Sequence, residues 1–519
     1  MTSRRSGVMA PLFSLASSRS WGVGEFADLP VVARWLRQAG QSFLQILPIT
    51  EIPISETSPY SSLTAMALDP IYISVPLMED FEALGGEGQL SQDDRNALDR
   101  LRRSARVDHH LIRQLKSRYL RAAHAHFVAA HRSRDDSQSQ NFADFVRDQQ
   151  WWLDDYALFQ ALRQEHRLLA WWEWPAPLAQ RHPDALIAAR EQLSAEILYR
   201  QYVQWIADQQ WAAAREGARP LKLFGDVPFM ISADSPDVWT RQAEFRFDAT
   251  VGVPPDAFSE TGQDWGLPPW RWEVMAANDF EWMKQRARRT AALFDGFRLD
   301  HLVGLYRTYV RPLDRTTKAF FAPDDEATQR LLGERLVRLY LDTGADVIAE
   351  DLGTVPDFVR ESLLQLGVPG FKVMRWERQW EAAGHPFIDP PEYPATSVAT
   401  SGTHDTEPLA SWWHDTDEEE RQRMMAVPSV ARYLKDSMPP FDALLRALLD
   451  AGSALTIVPL QDVFGWNGRI NTPALVSDEN WTWRVPWDVD RLDEIPEARE
   501  RARAFAEWTR SSGRASAEQ

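Results

Sequence analysis

The chain contains no cysteine, so disulfides and thiolate metal sites are excluded and nothing calls for an oxidising compartment. It has no run of about 18 apolar residues, and no membrane-spanning helix is expected. Basic residues are outnumbered, 57 Lys and Arg against 75 Asp and Glu, for a net charge of −18. Without a basic stripe to neutralise phosphates, a nucleic-acid partner is excluded. No G-x-G-x-x-G turn occurs, which removes the usual signature of a nucleotide-binding sheet. Histidine is sparse, with 11 scattered residues, and the first-strand His-x-His of a metal-dependent barrel hydrolase is missing. No metal site is expected.

What is present suits a globular protein. Of 519 residues, 44% are hydrophobic and 25% charged, ample for a core. Arg4 and Arg5 precede a mildly apolar stretch, Gly7 to Phe13. It is too short for a signal peptide and contains Pro11, so it reads as mature chain of a cytoplasmic protein. Short apolar runs then end abruptly in polar residues at 42–48, 221–226, 294–300, 345–350, 397–405 and 454–462. Each suits a strand, and stretches with helical spacing (30–39, 326–343, 355–366) lie among them. Strand, polar tip and helix in repetition predict an α/β fold, a (β/α)8 TIM barrel with its chemistry at the C-terminal strand ends. Residues 1–78 and 219–510 are assigned to the barrel. Residues 79–218, with long amphipathic patterns at 142–165 and 191–215, are assigned to a mainly helical insertion. A Pro-, Gly- and Trp-rich excursion at 245–283 reads as an ordered loop, and 511–519 as a frayed tail.

Cleaving an acetal between sugars needs two carboxyl groups, about 5–5.5 Å apart when configuration is retained. Asp300 ends one apolar run, and Arg298, two residues earlier, shares its face in a strand. A fixed cation there favours the ionised form that a nucleophile requires. Glu350 ends the next run, and Asp351 must face the other way. Asp405 closes a third, beside His404. Singly, each is better explained by a structural ion pair, a capping turn or a loop hydrogen bond. Three carboxylates at three strand tips of one barrel point to catalysis.

The motifs around these residues carry a resemblance over nearly the whole chain. They are Ser58-Pro59-Tyr60-Ser61, Gly225-Asp226-Val227-Pro228, Asp234 to Trp239, Gly252 to Gly266, Phe297-Arg298-Leu299-Asp300-His301, Ala349-Glu350-Asp351-Leu352-Gly353, Pro369 to Val373, Gly402-Thr403-His404-Asp405, Gln461-Asp462-Val463 and Asn480 to Arg484. In this order they resemble the amylomaltase or disproportionating-enzyme family of 4-α-glucanotransferases. The resemblance implies Asp300 as nucleophile, Glu350 as general acid and then base, and Asp405 as stabiliser of the distorted sugar. It further implies that Arg298 orients Asp300, that His301 and His404 bond the same sugar, and that Tyr60, Asp256, Gln263 and Trp265 line the glucan path. Residues 252–266 would form a lid that keeps water from the intermediate. The implied partners are α-1,4-glucans and maltooligosaccharides, with glucose as an acceptor. No organic cofactor is implied, because two carboxyls and a covalent intermediate suffice.

The chain departs from the family pattern at Leu302 to Tyr309, at Thr406-Glu407-Pro408 and at Leu68-Asp69-Pro70. These changes spare the three carboxylates and bear on acceptor preference and on transfer against hydrolysis. An α-glucan hydrolase with water as acceptor is the nearest alternative, and a catalytically silent glucan-binding protein is a third reading.

Overall fold

The computed structural model describes residues 4–132, 134, 136–255, 262–314 and 316–515. Twelve strands are present among them. They are β1 (Arg5–Met9), β2 (Phe43–Gln45), β3 (Lys222–Val227), β4 (Ala249–Val253), β5 (Gln263–Leu267), β6 (Gly296–Leu299), β7 (Thr308–Pro312), β8 (Phe320–Ala322), β9 (Asp346–Ala349), β10 (Gly370–Val373), β11 (Ser397–Thr400) and β12 (Leu455–Pro459). Eight of these close a parallel barrel in the order β1-β2-β3-β6-β9-β10-β11-β12, with β12 returning to β1. The expected TIM barrel is therefore present, and each of the six apolar runs supplies one of its strands. β6 and β11 are buried at every residue, as strands covered on both faces must be.

Two barrel strands lie outside those runs. β1 is the Arg-flanked apolar stretch near the start, held by β2 and β12 on either side. Its Gly7 is required by close approach, since a Cβ there would lie 2.5 Å from the Phe43 ring. β10 is only Gly-Phe-Lys-Val, too short for a run to show.

The helix Leu29–Gln38 shows how the outer ring forms. Pro30 sits in its first turn, where no amide bond is lost. Leu29, Val32, Ala33, Trp35 and Leu36 form its buried stripe, and the Trp35 indole donates to the Ala498 carbonyl at 3.1 Å. Gly40, at φ +73°, turns the chain toward β2.

Between β2 and β3 the described chain is helical or irregular, with long helices at His109–Phe127, Ser137–Glu165 and Ser194–Ala218. Buried polar pins join these helices to the chain beside the barrel. Lys116 Nζ donates to Glu25 Oε1 at 2.6 Å and to the carbonyls of Ile71 and Ile73 at 2.6 and 2.7 Å. Arg113 grips Asp69 through two bonds of 2.7 and 2.6 Å. Asp69, one of the departures, is thus the acceptor that anchors this helix.

Two expectations need correction. The 245–283 excursion is not simply a loop, because β4 and β5 pair antiparallel within a four-stranded sheet, β5-β4-β7-β8. Gly252 allows that pairing, since a Cβ there would stand 2.0 Å from the Gln263 carbonyl oxygen. The frayed tail does not hold for residues 511–515. Ser511 ends the helix Pro496–Ser511, and Arg514 is fully buried. The Arg514 guanidinium donates to the carbonyls of Leu449, Ala451, Ser453, Ala454 and Arg5 at 2.6–3.3 Å, which closes the seam between β1 and β12. Polar composition suggested solvent, but the fold supplies the acceptors. Arg514→Ala is expected to lower the unfolding free energy by about 3 kcal/mol, because several buried carbonyls lose their donor. Urea unfolding checks this against an alanine at exposed Arg510; equal midpoints would remove the argument.

Candidate active site

Register decides which carboxylates meet. β6 pairs with β9 through Arg298↔Ile348 and Leu299↔Ala349, so the next residues, Asp300 and Glu350, leave neighbouring strands side by side. Parallel strands stand about 4.8 Å apart, near the spacing of a retaining carboxyl pair. Asp351, next in sequence, turns away. Its Oδ1 accepts the Phe371 amide at 2.7 Å and so holds β10. Alternation along the strand sorts the two acids as expected.

Arg298 lies between two carboxylates. Its Nη2 is 2.9 Å from Asp300 Oδ1, and its Nη1 donates to both oxygens of Asp226 at 2.9 Å. Both Arg298 and Asp226 are buried, so the guanidinium is fixed from below by Asp226 and presented to Asp300. Tyr60 completes this base, donating from its hydroxyl to Asp226 Oδ2 at 2.7 Å. The Tyr60 ring stacks on His404 at 5.0 Å, and both pack against Trp481.

His404 in turn faces Asp405, with Nε2 3.4 Å from Oδ2. Burial opposes charge on His404, but the Asp405 carboxylate outweighs it and the histidine pKa is raised. Burial also opposes ionisation of Asp405. His404 and the 2.7 Å bond donated by Asn471 overcome it and hold the acid well below the usual carboxylate range.

Glu350 has the opposite setting. Its carboxylate accepts the amides of His301 at 2.9 Å and Leu352 at 3.1 Å. Burial nevertheless pushes its pKa up to about 7; Arg298 opposes the shift and the negative Asp300 adds to it. Two acids on adjacent strand tips thus differ in environment, which is how acid and nucleophile are told apart. His301 adopts φ +43°, a backbone strain that turns its amide toward Glu350. Burial lowers its pKa to about 4, so it is a neutral imidazole near neutrality.

His301 also connects the site to the β4–β5 hairpin. Its ring meets Trp265 edge-on at 4.9 Å and Phe229 at 5.1 Å. Gln263 Oε1 accepts the Trp265 indole N–H at 3.2 Å. The fold therefore joins Asp300, Glu350, Asp405, Arg298, His301, His404, Tyr60, Gln263 and Trp265 through direct contacts. Asp256 lies outside the described residues. Sequence reading did not single out Asp226, Asn471, Trp481 or Phe229 as site residues. Asp226 carried the same signal as the others, a carboxylate at a strand tip, and Trp481 stands within the Asn480 to Arg484 motif without a role having been given to it; Asn471 and Phe229 arrive from loops and carry no local signal.

Two departures also acquire partners here. Glu407 Oε1 accepts from Arg375 Nη1 at 2.8 Å, while Arg375 Nε and Nη2 hold the Ser401 carbonyl at the root of the Asp405 tip. Gly304 lies against Phe229, whose ring is 2.3 Å from where a Cβ would be.

Comparison with known proteins gives a consistent result. A family model described as 4-alpha-glucanotransferase matches residues 10–490. The 4-alpha-glucanotransferase of Thermus thermophilus is 31% identical over 498 residues, 92% of this chain and 93% of that one. That of Synechocystis sp. is 30% identical over 512 residues, 95% of each chain. The structure of an amylomaltase from Streptococcus agalactiae in complex with acarbose aligns with a TM-score of 0.82 at 27% identity, covering 99% of this chain and 100% of that one.

Proposed function

The chain belongs to the 4-alpha-glucanotransferase family, and from that premise we propose how its residues carry out the transfer. Asp300 attacks the anomeric carbon of an α-1,4-linked donor while Glu350 protonates the departing glycosidic oxygen. The glucan segment is then held as a β-linked ester on Asp300. The 4-hydroxyl of an acceptor glucan or glucose next gives its proton to Glu350 and displaces Asp300, so two inversions restore the α configuration. The observation that carries this reading is the pair of adjacent strand tips: Asp300 is bound to Arg298 at 2.9 Å, and Glu350 has its pKa raised to about 7. Asp405, held ionised by His404 and Asn471, stabilises positive charge developing on the sugar ring. Asp226 and Tyr60 keep Arg298 in place.

Trp265, seated on His301, is assigned to the wall that keeps water from the intermediate, and Asp256 to the glucan path on family resemblance. A cytoplasmic setting, with maltooligosaccharides as the natural substrates, is part of the same proposal. A chain without cysteine gains nothing from an oxidising compartment.

The test is incubation with maltotriose, separating products and assaying glucose. Longer maltodextrins formed alongside glucose support the reading, whereas glucose and maltose alone would overturn it in favour of hydrolysis. Trp265→Ala is expected to shift the same product ratio toward hydrolysis by up to about tenfold, equivalent to ~1.4 kcal/mol in the relative barriers. An unchanged ratio would remove Trp265 from the water-excluding wall.

A further inference from the structure

The helical insertion contains a cluster of side chains that the transfer reaction does not use. Asp80, in the helix Glu79–Ala83, is 6% exposed. His126 Nδ1 lies 2.7 Å from its Oδ1, and His131 Nε2 lies 3.7 Å from the same oxygen. One ligand atom from each of the three falls within 4.8 Å of the others. The two histidines are five residues apart, a spacing that puts them on different faces of a regular α-helix. They converge because the helix His109–Phe127 runs into a π-helical turn, Val128–Arg132, whose i→i+5 bonding changes the phase. Such turns recur at functional sites.

The surrounding hydrogen bonds set the donors up for a cation. His131 Nδ1 is engaged by Asp136 Oδ2 at 2.7 Å. That bond makes Nδ1 the donor, and in the Nδ1–H tautomer that it selects, the Nε2 lone pair points toward Asp80. A carboxylate, histidine and ligand-atom series of this kind orients metal-bound imidazoles. Asp80 Oδ2 accepts from the buried Tyr202 hydroxyl at 2.7 Å, leaving Oδ1 for the two histidines. A lone pair facing a carboxylate oxygen is two acceptors face to face, an arrangement that a cation between them relieves. The two histidine side chains are 25% and 27% exposed, so an ion can reach them.

We propose that Asp80, His126 and His131 bind a divalent transition-metal ion of the zinc type, with water completing the coordination. Imidazole and carboxylate donors suit such ions, and the absence of thiolates argues against copper(I) or iron–sulfur groups. On binding, the Nδ1 proton of His126 is exchanged through solvent for one on Nε2, which leaves the Nδ1 lone pair for the ion, and the 2.7 Å Asp80–His126 contact opens to about 3.3 Å, the edge of a tetrahedron with bonds of ~2.0–2.1 Å. The ion would clamp the turn joining the helices His109–Phe127 and Ser137–Glu165 to the helix Glu79–Ala83. It plays no part in the sugar chemistry.

The experiment uses the full chain without a polyhistidine tag, dialysed against EDTA and then into chelator-free buffer, and titrated calorimetrically with Zn²⁺. Thermal unfolding is followed in parallel, and Co²⁺ serves as a visible-absorption probe. One ion per chain, a raised unfolding temperature and cobalt d–d bands are expected. His126→Gln and His131→Gln should each weaken binding at least tenfold, and His110→Gln, an exposed control, should leave it intact. Asp136→Asn, which can still cap its helix, should weaken binding by about ten- to a hundredfold. Failure of the unsubstituted chain to bind Zn²⁺ would overturn the proposal. So would unchanged binding in the His126→Gln/His131→Gln double variant, which would mark the ion as adventitious. Because the first reading is made on the unsubstituted chain, a variant that misfolds does not remove the test.

Discussion

Replacing Asp300 by asparagine is expected to lower kcat for maltotriose disproportionation by about 10⁴-fold or more, the order seen when an enzyme loses its nucleophile. The substitution keeps the side-chain volume at a position that is 25% exposed, so the barrel is left undisturbed. Arg298 keeps both bonds to Asp226 and stays where it was. What disappears is the oxygen that forms the ester, and the two-step route goes with it. Azide separates this role from a merely structural one. With Asp300→Ala and an α-maltosyl fluoride donor, azide enters once from the open face and yields the β-azide. A tenfold loss only, or an α-azide product, would sink the assignment.

Glu350→Gln tests the other acid. With maltotriose as donor the expected loss is about 10²- to 10⁴-fold, the usual contribution of a general acid. With α-maltosyl fluoride, whose leaving group needs no proton, formation of the glycosyl-enzyme should be nearly unaffected and its transfer onward should slow. The pH profile supplies a second readout. Burial pushes the Glu350 carboxyl up to about 7, so the proton-donating form persists from acid pH to near neutrality. The wild-type kcat/KM is therefore expected to be present below about pH 7 and to fall as pH rises through that value. The glutamine variant, assayed with the fluoride, should lack this limb. A wild-type profile flat from pH 6 to 9 would remove Glu350 as the acid.

Much of this site was legible in the residues. The apolar runs ending in Asp300, Glu350 and Asp405 marked strand tips, and period-two alternation separated Glu350 from Asp351. β1 and β10 were harder to read, because a strand of four or five small or alternating residues carries little hydrophobic signal. The hairpin of β4 and β5 was read as a loop, since glycine and tryptophan report turn propensity and not the antiparallel partner that β7 supplies. Asp69 and Glu407 stood out in the sequence only as departures from the family pattern. Their ion pairs with Arg113 and Arg375 show that each is held by a residue remote in sequence.

The sequence by itself determined the barrel class, six of its eight strands and the three acids at their tips, because hydrophobic period and strand parity are local properties of a chain. Only the tertiary structure decided the acids' separate environments. The bond from Arg298 to Asp300, the burial of Glu350, and the seating of Trp265 on His301 depend on packing between segments far apart in sequence. The meeting of His126 and His131 over Asp80 belongs to the same class, since it depends on a helix changing its phase within a single turn.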